Sequence, residues 1–153
     1  MKKAPIAIFV LLLTFSINSF AQKNLTGNEA ADWVETQRGI ADSLFAKKNV
    51  TPTEINKGVL LLKNTLTFLD SLPIKGLARG NTYLWYQRAD ANRDLASGYA
   101  LLNKKDSALL ALNRMYENGT RTNTIDFLQQ NPALNVLRNE PGYLAIKIGR
   151  AHV

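Results

Sequence analysis

The chain contains no cysteine and a single histidine, His152, near its end. Without cysteine there is no disulfide framework, no thiolate metal site and no cysteine nucleophile. With one histidine, at position 152, a multi-histidine metal centre or a Ser-His-Asp triad is nearly excluded. Nine glycines and five prolines among 153 residues, with no low-complexity segment, exclude a collagen-like or wholly disordered chain. No stretch alternates with a strand period. Acidic residues are also in the minority, 12 against 19 Lys and Arg, for a formal net charge of +7. The basic residues are scattered, and the pairs Lys47-Lys48 and Lys104-Lys105 fall at expected helix ends, where cations suit the helix dipole. A nucleic-acid interface would need a clustered basic stripe, and none is visible.

What is present starts with a charged, apolar, small-residue order. Lys2-Lys3 precede an apolar run from Ala4 to Ile17, and Asn18-Ser19-Phe20-Ala21 places small residues before a cut after Ala21. That order predicts a cleaved secretory signal over residues 1–21 and a short leader over 22–27. The run is shorter than the ~20 residues of a spanning helix, and no cysteine follows it to carry a lipid anchor. Cleavage removes two lysines and leaves a formal charge of +5. The expected destination is the periplasm or the exterior of the cell, with no stable membrane span.

The mature chain reads as a series of helices. Asn28-Glu29 opens the first, with Trp33, Gln37, Ile40, Ala41, Leu44 and Phe45 at helical spacing and Asn49 as its stop. Thr51-Pro52-Thr53-Glu54 supplies an N-cap, a proline at the first helical position and a capping box. Ile55, Val59, Leu62, Leu66 and Leu69 then repeat in steps of three and four up to Leu72-Pro73. After a loop with Gly76 and Gly80, a long helix uses Leu84, Trp85, Ala89, Leu95, Ala96, Tyr99 and Leu102. Asp106 is the expected cap of the next helix, which holds Ala108, Leu109, Leu112 and Met115 and stops at Asn118-Gly119. Shorter helices are expected from Ile125, from Asn131-Pro132 and from Glu140-Pro141. The fold class is all-α: antiparallel helix pairs joined by short turns, one domain over residues 28–147.

The segment from Asn92 to Gly119 resembles a tetratricopeptide repeat, whose paired helices follow W-x2-L-G-x2-Y, then A-x3-F, then P. Leu95-Ala96 stands at Leu-Gly, Tyr99 follows three residues later, and Ala108 with Leu112 fits A-x3-F. Small Ala96 and Ala108 would let two helices approach, with Leu95, Tyr99 and Leu112 packed around them. Asn92 replaces the tryptophan, and Thr120 stands where the closing proline belongs. The stretch from Asp126 through Asn131-Pro132 to Gly142-Tyr143-Leu144 is similar to the terminal unit of such an array. The resemblance covers Asp90 to Lys147, and the pair from Asn28 to Leu72 joins the same solenoid by helix pattern alone. It implies an exported helical module. It also implies a possible place ahead of a hydrolase domain, tail-specific serine peptidases being one such partner.

The last six residues, Ile148 to Val153, are what ATC GGA AGA GCA CAC GTC encodes, a string that resembles a sequencing adapter. On that reading residues 148–153 are non-native and the natural chain continues past Lys147. Arrays of this kind need about three units. Two pairs and a partial third predict marginal stability in isolation.

Few residues suggest a site. Trp33, Trp85 and Tyr99 are expected in the core, while Tyr83, Tyr86 and Arg88 face out as a candidate interaction surface. Asp90, Arg93 and Asp94 read as a solvated polar face of spaced ion pairs. Asn24, Asn49 and Asn118 open N-glycosylation sequons, two of which double as helix ends. There is no Gly-x-Ser-x-Gly elbow and no Ser-x-x-Lys pair, so no catalytic, cofactor-binding or metal residues are expected. The expected function is an exported, non-catalytic interaction or scaffold module with a protein or peptide partner. The alternative is the helical region of a secreted serine peptidase or other hydrolase whose catalytic domain lies in a missing C-terminal part.

Overall fold

The Thr51-Pro52-Thr53-Glu54 signal forms the cap that its spacing predicts. Thr51 Oγ1 accepts the Glu54 amide at 3.3 Å, and Glu54 Oε2 accepts the Thr51 amide at 3.0 Å. Two donors of the first turn are thereby satisfied, and Pro52 brings no amide in need of a partner. Lys47 closes on Glu54 Oε1 at 2.5 Å. The Lys47 hydrogen bond, followed by those from Thr51, holds the Glu54 carboxyl down at about 2.

The structure, a computed structural model, describes residues 27–72, 82–118 and 124–151. Helices run over Gly27–Phe45 (α1), Pro52–Ser71 (α2), Thr82–Leu101 (α3), Lys105–Glu117 (α4), Thr124–Gln130 (α5) and Pro141–Ala151 (α6), with a 3-10 turn at Pro132–Leu137. No strand occurs among the described residues, and the protein is all-α. The expected signal, the leader ahead of Gly27, the loop with Gly76 and Gly80, Gly119 and His152 lie outside the described residues, as do the side chains of Tyr83 and Ile125. None of the described helices is long and apolar enough to cross a membrane.

Side-chain contacts fix the directions of the helices. Trp33, early in α1, meets Phe68, late in α2, edge to face at 4.8 Å between centroids. At the other end Phe45, the last residue of α1, lies against Gly58 of α2. The two helices are therefore antiparallel. Phe45 also lies against Gly98 near the end of α3, and Arg38 reaches Asp94 of α3. Thus α1 and α3 run in the same direction, while α2 contacts both, its Val59 lying against Gly98 of α3.

Glycine is required at two places here. A Cβ at Gly58 would stand 2.5 Å from the Phe45 ring, and one at Gly98 would stand 2.7 Å from the ring and 2.8 Å from Val59 Cγ2. Both distances are far inside van der Waals contact, so the Phe45 ring fits only because both helices lack a side chain there.

A turn of three residues joins α3 to α4. Asn103 takes the left-handed conformation, φ 55°. Its amide bonds to Ala100 O and the Lys104 amide to Tyr99 O, both at 2.9 Å. This pair of bonds closes a helix C-terminus when the residue after the cap is left-handed, and asparagine tolerates that conformation. The expected capping role of Asp106 is corrected: it lies inside the first turn of α4, and Lys104 precedes the helix with no side-chain cap.

Leu95, Ala96, Ala108 and Leu112 are buried in the main core with Leu62, Met115, Leu128, Leu134 and Leu137, and half-buried Tyr99 packs against it. Each fully buried leucine contributes roughly 1.5–3 kcal/mol. A smaller cluster at the opposite end joins Ala30, Val34, Phe68, Leu69 and Leu84. Tyr143 of α6 is buried, and its hydroxyl donates to Leu128 O. Asn92, at the position the repeat pattern gives to tryptophan, is buried, and its Nδ2 donates to Arg88 O at 3.0 Å.

Candidate functional site

Helix α3 is buried nearly all round, including its polar residues. Gln87, Asp90, Asp94, Ser97 and Leu101 follow one another in steps of three and four, so they form one stripe. That stripe faces α1 and the α5–3-10 segment. Arg38 of α1 reaches Asp94 Oδ2 through Nε and Nη2, both at 2.8 Å. Its Nη1 donates to Gln87 Oε1 at 2.5 Å and Asp90 Oδ2 at 3.3 Å. Arg93 takes the other carboxylate oxygens, Asp94 Oδ1 at 2.9 Å and Asp90 Oδ1 at 3.3 Å.

This network is desolvated, with side-chain exposure of 11% for Arg38 and 5% for Asp94. The expectation that Asp90, Arg93 and Asp94 form a solvated face is therefore corrected. The missing partner is Arg38, fifty-six residues away from Asp94. Burial alone would lower the pKa of Arg93, but the Asp94 and Asp90 charges outweigh it and raise it.

Beyond the network the stripe opens into a cleft of about 520 Å³. One side is the end of α1, with Asp42, Phe45 and Ala46; the other is Phe127 of α5 with Asn131, Pro132 and Ala133. Arg93, Asp94, Ser97 and Leu101 of α3 lie between them. Asn131 ties the far side down: its Oδ1 accepts the Ala133 amide and its Nδ2 donates to Ser97 Oγ, both at 2.9 Å. Arg93 lies over the Phe127 ring at 5.5 Å, a stacking that further fixes the guanidinium.

Asp42 differs from the other two carboxylates. No ion pair or side-chain hydrogen bond reaches it among the described residues. Burial by the neighbouring walls, then the Asp94 charge, raises its carboxyl to about 6, with Arg38 and Arg93 opposing. Its side chain keeps access to solvent at the cleft mouth, and screening by water tempers the rise. With three carboxylates against two guanidiniums, the cleft is locally negative in a chain of net charge +7.

Ser97 holds the one hydroxyl of the lining; it donates to Arg93 O at 3.4 Å and accepts from Asn131. No lysine or histidine lies in the lining among the described residues. No group of three metal-ligating side chains occurs among the described residues.

Two of the three residues expected to form an outward surface, Tyr86 and Arg88, are described with their side chains. Tyr83 lies outside the described side chains, and Tyr86 is half-buried. Arg88 is turned inward, donating to Leu69 O at 2.8 Å and pairing with Asp70 at 3.0 Å, with 19% of its side chain exposed. Trp85 is corrected in the opposite sense. Expected in the core, it is 40% exposed and lies 5.9 Å beneath the Arg88 guanidinium. Neither Arg88 nor Trp85 lines the cleft. Arg38, Asp42, Gln87, Phe127 and Asn131 were not read as site residues; the three-and-four spacing of Gln87 with Asp90 and Asp94 could have marked a polar face of α3, but it does not point to the residues on other elements.

No protein-family model, no curated protein and no solved structure matches this chain.

Proposed function

We propose that the protein is an exported, non-catalytic interaction module of tetratricopeptide-like build, and that the cleft between α1, α3 and the α5–3-10 segment receives its protein or peptide partner. The repeat reading is supported by α1 and α3 running alongside each other, each paired with an antiparallel or closely turned neighbour. The observation that carries the functional reading is the cleft lining. Phe45, Leu101, Phe127, Pro132 and Ala133 offer apolar surface beside fixed polar groups, in a volume suited to a few side chains. Large rigid rings held by the fold are what interface anchors use. Delivery outside the cytoplasm rests on the signal-like order of residues 1–21.

The test is amide chemical-shift mapping of the mature chain with short apolar-rich peptides. Perturbations should gather on Phe45, Leu101, Phe127 and Ala133, and Phe127→Glu should remove them while leaving the helical signature intact. Perturbations confined to the Trp85–Arg88 region, or none at millimolar peptide, would overturn the reading.

A further inference from the structure

The charges around the cleft divide into satisfied and unsatisfied groups. Asp90 and Asp94 are committed to Arg38 and Arg93. Arg93 in turn is occupied on three nitrogens and stacked on Phe127. An anionic ligand would have to break these contacts to gain a guanidinium. A cationic ligand meets an uncommitted carboxylate, Asp42, at the mouth. It also meets a cluster whose carboxylates outnumber its guanidiniums, and the sign of this surface is opposite to that of the chain as a whole. Such local inversion directs partner choice more than it adds raw affinity.

The apolar lining decides the rest of the ligand. Phe45 and Ala46 follow Asp42 on α1, and Leu101 and Phe127 continue the surface. A lysine or arginine pairing at Asp42 would lay its methylene stem along this shelf, and a neighbouring apolar side chain would fill the remainder. The cleft volume of about 520 Å³ admits a segment of chain rather than a folded surface.

We propose that the cleft binds a peptide segment in which a lysine or arginine adjoins an apolar residue, the cation pairing with Asp42 and the apolar group resting on Phe45, Leu101 and Phe127. This rests on the reading of the cleft as the binding face and names its ligand. Four charged groups bear on Asp42: Asp94, Asp90 and Arg93 from α3 and Arg38 from its own helix. The carboxylate is needed in its charged form, so binding weakens as pH falls through about 6.

The experiment titrates the mature chain with peptides identical except for one central residue, Lys, Gln or Glu, set between leucines. The Lys peptide should bind about fivefold tighter than the Gln peptide, with Glu weakest. Asp42→Asn should make Lys and Gln equal, with no loss of thermal stability. Equal binding of Lys and Gln by the unaltered chain, or a Lys preference that survives Asp42→Asn, overturns the proposal. If those peptides still shift cleft resonances, the interaction-module reading stands and only the charge assignment fails. If no peptide shifts the cleft, both fail.

Discussion

Helix α3 meets its neighbours in two different ways. Toward α2 and α4 it offers Leu95, Ala96 and Ala100, packed with Val59, Leu62, Ala108 and Leu112. Toward α1 it offers Gln87, Asp90 and Asp94, joined through Arg38. The apolar side tolerates modest changes of shape, because burial has no direction. The polar side fixes the register of α1, because a guanidinium bonded to three side chains can satisfy them in only one arrangement. Desolvation offsets much of the energy of such a network, so its main effect is to position α1. In this protein that position sets the cleft.

The comparison is broken most severely at Arg38. Arg38→Ala leaves Asp94 buried and short of its best partner, and we expect a loss of about 4 kcal/mol in urea unfolding. Replacing the network together, Arg38→Met with Asp90→Asn and Asp94→Leu, should recover most of that loss yet blur the α1 resonances. On the apolar side, Leu112→Ala should cost about 3 kcal/mol by leaving a cavity, with cleft chemical shifts unchanged. A result in which Leu112→Ala disturbs the cleft and Arg38→Ala does not would reverse the division of labour argued above.

The junction of the two sides is sharpened by Gly98→Ala, which forces a methyl group against Phe45 and Val59. A cost of about 2 kcal/mol is expected, reduced when Phe45→Leu is added, so a double-mutant cycle should show clear coupling. The smallest effect belongs to Asp42. Its pKa is raised on folding, from 3.8 to about 6, so its favourable contribution is complete below 3.8 and is lost as pH rises through about 6. Asp42→Asn should therefore raise the melting temperature slightly at pH 7 and leave it unchanged at pH 3.5.

Much of the fold was legible because it is written locally. Thr51 to Glu54, Asn131-Pro132 and Glu140-Pro141 each open a helix or turn where their residues predict, and Asn118 ends α4. The site was less legible because its partners are far apart in sequence. Nothing near Asp94 announces that a residue fifty-six positions earlier will neutralise it. Helix α3 also hides its centrality. Buried polar groups sit among its leucines and alanines, so it lacks the apolar stripe that marks a helix with one solvent face. Trp85 was misplaced for the related reason that size and apolarity predict burial only on average.

Phe45 belongs to two structures at once. Its ring fills the space left by Gly58 and Gly98, and the same ring is part of the cleft surface. A guest resting on it would press on the side chain that spaces three helices, so occupancy and cohesion share one energetic account. By linkage, a ligand held a hundredfold above its dissociation constant adds about 2.7 kcal/mol to the folded state. The melting curve of this protein is thus itself a detector, able to report a guest before that guest has been identified.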